Sequence, residues 1–407
     1  MKQCLLVILL LAGSFSQAQE KDENIVVLIS LDGCRWDYPQ WYDTPFLDFM
    51  EKNGAASGLV PAFPSKTFPN HYTLATGLHP EHHGIIGNSF LNRSTGKTFS
   101  LGTPEEKYNP IHYGGEPIWL TAQKQGIKTA IFYWPGSDVK IQGKSPELYH
   151  EYDKKPRLTY EERINGIVRQ LKKSPARRPR LLMAYLEEPD KSGHNYGPQH
   201  KNTRKAVEQT DSLLGVLWHK IKALPVAPKV DFIVLSDHGM TQLVPERKIE
   251  VMKHLKKEWV EQIEGNMPAN IYAKTGFADS IYQSLKTIDH IDVWHRADVP
   301  DFLHYKNNPN IGDIVVLPEL GWIFCDEEVT PGGMHGYDPS YSDMQAIFRA
   351  MGPSFKHIKK KHFNNVSIYP LVCHLLGITP APHDGSLPYK QGVIGSSPIS
   401  PTIYVPK

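Results

Sequence analysis

Disulfide-forming residues are scarce: the chain of 407 residues holds four cysteines. Cys4 falls in an N-terminal leader, and Cys34, Cys325 and Cys373 permit at most one intrachain bridge, which excludes a fold built on a disulfide framework. An excess of charge of one sign is lacking too, with 45 Lys and Arg against 43 Asp and Glu. The basic residues are scattered, so the chain has no stripe suited to a nucleic-acid polymer or an anionic membrane surface. The one local run, Lys356-His-Ile-Lys-Lys-Lys361, is short and reads as a solvated face. No internal repeat or low-complexity linker breaks the chain, and no feature sets an oligomeric state. Nor is there a stretch of about 18 apolar residues that would span a bilayer. The nearest candidate, Leu5 to Ala12 behind Lys2, leads into Ser16-Gln17-Ala18 and reads as a secretory signal peptide over residues 1–18. The expectation is an exported protein, periplasmic or secreted. Asn92-Arg-Ser94 and Asn365-Val-Ser367 fit the N-glycosylation pattern.

What is present is a rhythm of buried strands and amphipathic helices. Residues 24–31 form a nearly unbroken β-branched and aliphatic run, the pattern of a strand covered on both faces. Residues 127–133, 180–186 and 230–235 repeat it, and residues 344–350 restore it late in the chain. Helical periodicity fills residues 116–125, 159–173, 203–223 and 366–376, and a further helix starts at Thr44-Pro45, read as cap and first turn. Alternating strands and helices predict an α/β three-layer sandwich with a largely parallel central sheet. The rhythm fails between about 250 and 325, which predicts an inserted α+β subdomain within one catalytic domain over 19–407.

Three predicted strands run into an aspartate: Asp32, Asp190 and Asp237. Ligands of open α/β sheets bind beyond the carboxyl ends of the strands, so the three converge if the strands are parallel neighbours. Asp190 and His194 stand at i, i+4, Asp237 and His238 are adjacent, and His335 follows a Gly-Gly pair. Carboxylates and imidazoles without thiolates form a donor set for two divalent ions, and suit zinc better than magnesium or calcium, with manganese and cobalt as alternatives. Two such ions roughly 3.5–4 Å apart serve an in-line displacement at phosphorus. Thr67 precedes a Pro-started helical segment and either caps it or acts as a nucleophile, in which case a metal is the economical activator.

Asp32-Gly33, Lys66-Thr67-Phe68-Pro69-Asn70-His71, Gly84-Ile-Ile-Gly-Asn88, Trp134-Pro-Gly-Ser-Asp138, Glu188-Pro-Asp190 with Gly193-His194, Ser236-Asp-His-Gly-Met240 and His335-Gly336 stand in order along the chain. Together they resemble the nucleotide pyrophosphatase/phosphodiesterase family of the alkaline phosphatase superfamily, in its compact single-domain form. The resemblance implies an alkaline-phosphatase-like fold and one zinc on Asp190, His194 and His335. It implies a second zinc on Asp32, Asp237, His238 and Thr67. It further implies Thr67 as nucleophile, Asn88 on a phosphoryl oxygen, and Phe68 and Tyr152 on opposite faces of a nucleotide base. Tyr185 matches a pocket tyrosine; each of these three aromatics can instead be core. The implied reaction is hydrolysis of a nucleotide phosphodiester or pyrophosphate through a phosphoryl-threonine. A phosphate monoesterase and a lipid or choline phosphodiesterase are the alternatives. A non-catalytic binding protein would have lost ligands or nucleophile, and none is lost.

Overall fold

The computed structural model describes residues 24–325, 328–359 and 362–387. The leader over 1–18 lies outside the described residues, as do Lys360 and Lys361 of the basic run.

The first strands are β1 (Ile25–Leu31), β2 (Ala55–Val60), β3 (Thr129–Phe132), β4 (Leu181–Leu186) and β5 (Val230–Leu235). A second group follows: β6 (Val260–Glu264), β7 (Ala269–Ala273), β8 (Ile291–His295) and β9 (Ile314–Pro318). Strand β10 (Ala346–Met351) then returns to the first group. The main sheet has the order β2-β10-β5-β1-β4-β3, extended beyond β2 by short pieces of the chain near residues 358 and 363. Strands β3, β4, β1 and β5 pair in parallel, and β10 runs antiparallel to both its neighbours.

All seven side chains of β1 are buried because helices cover both faces. Val26 and Leu28 face the core shared with α2 (Thr67–Thr76), α3 (Ile118–Lys124) and α8 (Ile368–Leu376). Ile25, Val27, Ile29 and Leu31 face α1 (Pro45–Asn53), α4 (Tyr160–Leu171) and α6 (Lys201–Lys222). The period-two alternation of one strand thus separates two cores, and the result is a three-layer α/β sandwich. Helix α5 (Asp190–Tyr196) follows β4 directly. The second sheet, β6-β7-β9-β8, is antiparallel throughout and has its own core with Ile281 and Leu285 of α7 (Ala278–Leu285).

Among the described residues no disulfide joins Cys34, Cys325 and Cys373. Asn92 and Asn365 are buried, at 3% and 1% exposure. The Asn92 amide nitrogen contacts His112 Nδ1 at 3.1 Å, and that of Asn365 donates to Asn70 Oδ1 at 2.8 Å. Neither glycosylation pattern presents its amide at the surface.

Candidate active site

The parallel register of β1 with β4 and β5 brings three strand ends together, and backbone hydrogen bonds stitch them. Asp32 donates its N–H to the Leu186 carbonyl at 2.9 Å, and Asp190 donates its own to the Asp32 carbonyl at 2.9 Å. The Gly33 N–H donates to Asp237 Oδ1 at 3.1 Å. Gly33 has φ +63, and a Cβ there would sit 2.8 Å from Asp190 Cβ, so the turn after β1 admits Asp190 only because position 33 carries no side chain. His194 lies one turn into α5, with Nε2 3.5 Å from Asp190 Oδ2. His335 comes from the loop after a two-residue ladder between Gly333–Met334 and Thr241–Gln242.

Thr67 is the first residue of α2, and the N-cap residue before it, Lys66, makes no side-chain cap. Thr67 Oγ1 lies 3.1 Å from His238 Nε2 and 3.5 Å from Asp32 Oδ1. The hydroxyl therefore faces the Asp/His cluster. Lys66, its neighbour, is lowered to about 8 by burial, with Asp190 opposing. Its Nζ contacts Met334 Sδ at 4.0 Å, while the groups near Thr67 Oγ1 are Asp32 and His238.

The three imidazoles share one arrangement. His194 Nδ1 lies 2.9 Å from the Gly333 carbonyl, His238 Nδ1 2.8 Å from that of Gly239, and His335 Nδ1 2.7 Å from that of Ser65. Each Nδ1–H is thereby committed to the backbone, and each Nε2 presents a lone pair to the cluster. His194 Nε2 and His335 Nε2 then face each other at 3.1 Å, a contact of two lone pairs that calls for a cation between them. Asp190 Oδ1 and Asp237 Oδ2 are buried and accept no well-formed hydrogen bond among the described residues. Donor atoms of Asp190, His194 and His335 lie within 4.8 Å of one another, as do those of Asp32, Asp190 and His238. Orphaned acceptors of this kind fit two adjoining metal positions, with Asp190 between them.

The electrostatics carry the same message. Burial, then repulsion from Asp237 and Asp190, pushes the Asp32 carboxyl well above the ordinary range. Burial also raises Asp190, partly offset by His194 and His238. Burial opposes ionisation of Asp237, yet His238 and His71 hold it well below the ordinary value. His335 is driven well down by burial and then by His238, so it stays neutral, as a ligand must.

Around the cluster, a groove of about 680 Å³ opens over Asp32, Asp190 and His194, with Tyr152 and Tyr185 on its wall. Tyr185 donates its hydroxyl to Asp32 Oδ2 at 2.5 Å, so its polar end is used inside the cluster. Tyr152 is anchored by its N–H to Asp138 Oδ2 at 3.2 Å. Phe68 is 8% exposed and packs against Phe99 and Tyr113. The Phe68 N–H donates to Asn88 Oδ1 at 3.1 Å, which fixes the Asn88 amide and leaves its nitrogen as the donor.

One participant escaped sequence reasoning. His71 is buried in α2, with Nε2 2.9 Å from Ser30 Oγ and Nδ1 2.9 Å from the Thr67 carbonyl and 3.3 Å from Asp237 Oδ2. Its i, i+4 spacing from Thr67 was the available signal.

Comparison with known proteins adds an independent line. Residues 26–338 match the family described as type I phosphodiesterase / nucleotide pyrophosphatase. Ectonucleotide pyrophosphatase/phosphodiesterase family member 3 of Bos taurus is 38% identical over 379 residues, covering 89% of this chain and 43% of the relative. The chain thus spans less than half the length of that relative. Family member 5 of Homo sapiens is 35% identical over 399 residues, covering 97% of this chain and 82% of the relative. Among solved structures, an inactive threonine-to-alanine variant of murine family member 5, in complex with AMP, superposes with a TM-score of 0.86 at 34% identity, over 92% of this chain and 100% of that one. Human family member 5 gives a TM-score of 0.86 over 91% of this chain and 100% of that one.

Proposed function

The chain belongs to the type I phosphodiesterase / nucleotide pyrophosphatase family, and on that premise we propose that it is an exported, zinc-dependent hydrolase that cleaves nucleotide phosphodiester or pyrophosphate bonds to a nucleoside monophosphate. The observation that carries the reading is the Thr67 hydroxyl, held 3.1 Å from His238 Nε2 and 3.5 Å from Asp32 Oδ1 beside three convergent carboxylates. Asp190, His194 and His335 would hold one ion, and Asp32, Asp237, His238 and the Thr67 oxygen the other. When bound, the ions supply positive charge that lowers the pKa of the hydroxyl and offsets charge on the phosphoryl oxygens.

Thr67 forms the new O–P bond as the bond to the departing oxygen breaks, giving a phosphoryl-threonine. Water then forms an O–P bond as the Thr67 bond breaks, and a phosphate monoester leaves. The Asn88 amide nitrogen donates to a phosphoryl oxygen, and the first turn of α2 adds its dipole. The AMP bound by the murine relative supports a nucleotide monoester as product. The diester reading is supported further by residues 134–138, Trp-Pro-Gly-Ser-Asp, which contain no Lys or Arg and whose Asp138 accepts from the Tyr152 N–H. Among the described residues no helix is long and apolar enough to cross a membrane, which suits an exported enzyme.

Replacing Thr67 by Ala should slow hydrolysis of a nitrophenyl nucleotide ester by about ten-thousand-fold, with metal content undiminished. A variant that turns over at the parental rate would sink the mechanism.

A further inference from the structure

The groove wall beyond the metal cluster carries two arginines laid over tyrosine rings. Arg157 Cζ is 4.3 Å from the Tyr152 ring centroid, and Arg163 Cζ is 5.1 Å from that of Tyr160. Both guanidinium groups reach one carboxylate: Arg157 Nη1 is 3.2 Å from Glu187 Oε1, and Arg163 Nη1 is 2.7 Å from Glu187 Oε2. The two differ in accessibility, with the Arg163 side chain 3% exposed and that of Arg157 29%. All of these residues line the groove, and so does Glu188.

An aromatic face with acidic neighbours is the setting that receives a quaternary ammonium, because the ring quadrupole and the carboxylates both attract it. Here Tyr152 supplies the face and Glu188 a carboxylate, while the Arg157 guanidinium lies over the ring at 4.3 Å and the Lys107 ammonium stands farther out, 5.8 Å from its centroid. We propose that Arg157 is a specificity-determining residue that fills the groove's own cation site and so turns away phosphodiesters bearing a quaternary ammonium such as choline. The inference rests on the phosphodiesterase reading above and adds the substrate class that the groove refuses. Arg163 is sealed into the wall and continues to neutralise Glu187 when Arg157 is removed, so Arg157 can be deleted without stranding a buried charge.

The test compares nitrophenyl phosphorylcholine with a nitrophenyl nucleotide ester on the parent protein, Arg157→Ala and Arg157→Lys. Calorimetric titration with tetramethylammonium supplies a readout independent of turnover. Arg157→Ala is expected to raise the ratio of kcat/KM for the choline ester over the nucleotide ester about tenfold and to tighten tetramethylammonium binding by a similar factor, while Arg157→Lys leaves both near the parental values. An unchanged ratio together with unchanged tetramethylammonium binding would overturn the role of Arg157, and so would an equal gain in the lysine variant. Failure of the parent protein on both esters would instead defeat the phosphodiesterase reading, and the titration would still decide whether Arg157 guards a cation site.

Discussion

At the scale of single residues, the cluster depends on groups that do not themselves ligate. Three carboxylates gathered at the ends of β1, β4 and β5 repel one another, and burial adds to the cost of ionising Asp32. Tyr185 counters this by donating to Asp32 Oδ2, and the His71 imidazole stands 3.3 Å from Asp237 Oδ2. Outer hydrogen bonds of this kind orient a ligand, and their loss typically weakens metal binding 10- to 100-fold. Tyr185→Phe should therefore release zinc to a competing chelator at a free-ion concentration at least about tenfold higher than the parent requires. Equal retention would reduce Tyr185 to a packing residue. Of the seven side chains proposed as ligands, strand ends mark Asp32, Asp190 and Asp237 in one dimension and an i, i+4 spacing marks His194, whereas Thr67 and His335 were assigned through the family resemblance. The hydroxyl of Tyr185 was not legible, since its aim at Asp32 depends on the pairing of Ser30 with Tyr185 across two strands distant in sequence. Phe68, implied by the resemblance as one face of a base clamp, also packs against Phe99 and Tyr113, with ring centroids 6.0 and 6.4 Å away.

At the scale of elements, helix α1 shows where local signals give way to tertiary ones. Thr44-Pro45 looks like a cap followed by a first-turn proline, but the Thr44 hydroxyl is buried with no partner among the described residues and caps nothing. Asp211 of α6 does the work, accepting from the N–H groups of Phe46 at 3.1 Å and Leu47 at 2.8 Å. A carboxylate at a helix N-terminus satisfies free donors and opposes the dipole favourably. Asp211→Ala should cost about 2–3 kcal/mol, because two charge-assisted bonds vanish and buried N–H groups are left unpaired. Thr44→Val, by contrast, should be neutral or stabilising, since it removes an unpartnered buried hydroxyl. Urea unfolding midpoints decide the matter; equal losses in the two variants would return the cap to Thr44. Strands β1 and β5, rich in β-branched residues, and β4, an apolar run of Leu, Met, Ala and Tyr, were readable almost to the residue. Strand β2, with the sequence Ala-Ala-Ser-Gly-Leu-Val, was not, because its small side chains carry no strand preference of their own. It is a strand because β10 requires a close neighbour: a Cβ at Gly54, just before it, would stand 2.1 Å from the Ala350 carbonyl oxygen.

For the molecule as a whole, the cluster joins stability to pH and to metal. Without ions, the Asp32 and Asp190 carboxyls are raised, Asp32 strongly, with burial the largest cause for both. At these two groups the folded chain then holds protons that the unfolded chain has released, while Asp237, held low by His238 and His71, works in the opposite sense. A raised carboxyl contributes stability that is fully present below the unfolded value of about 3.9 and is lost as pH climbs through the folded value. Metal ions act in the opposite direction, because they need these carboxylates ionised and His194, His238 and His335 neutral, and so gain affinity as pH rises. The stabilisation that the ions provide should therefore be small near pH 5 and large near pH 8. At free zinc about a thousandfold above Kd it would amount to about 4 kcal/mol, enough to move the melting temperature by several degrees. Thermal unfolding of the protein with zinc and after chelation, at both pH values, measures this difference directly. The gap between the two melting temperatures should widen from pH 5 to pH 8. A gap that stayed constant would mean that the carboxylates keep their charge without the ions, and one that narrowed would mean that the ions and the protons do not compete for the same oxygens.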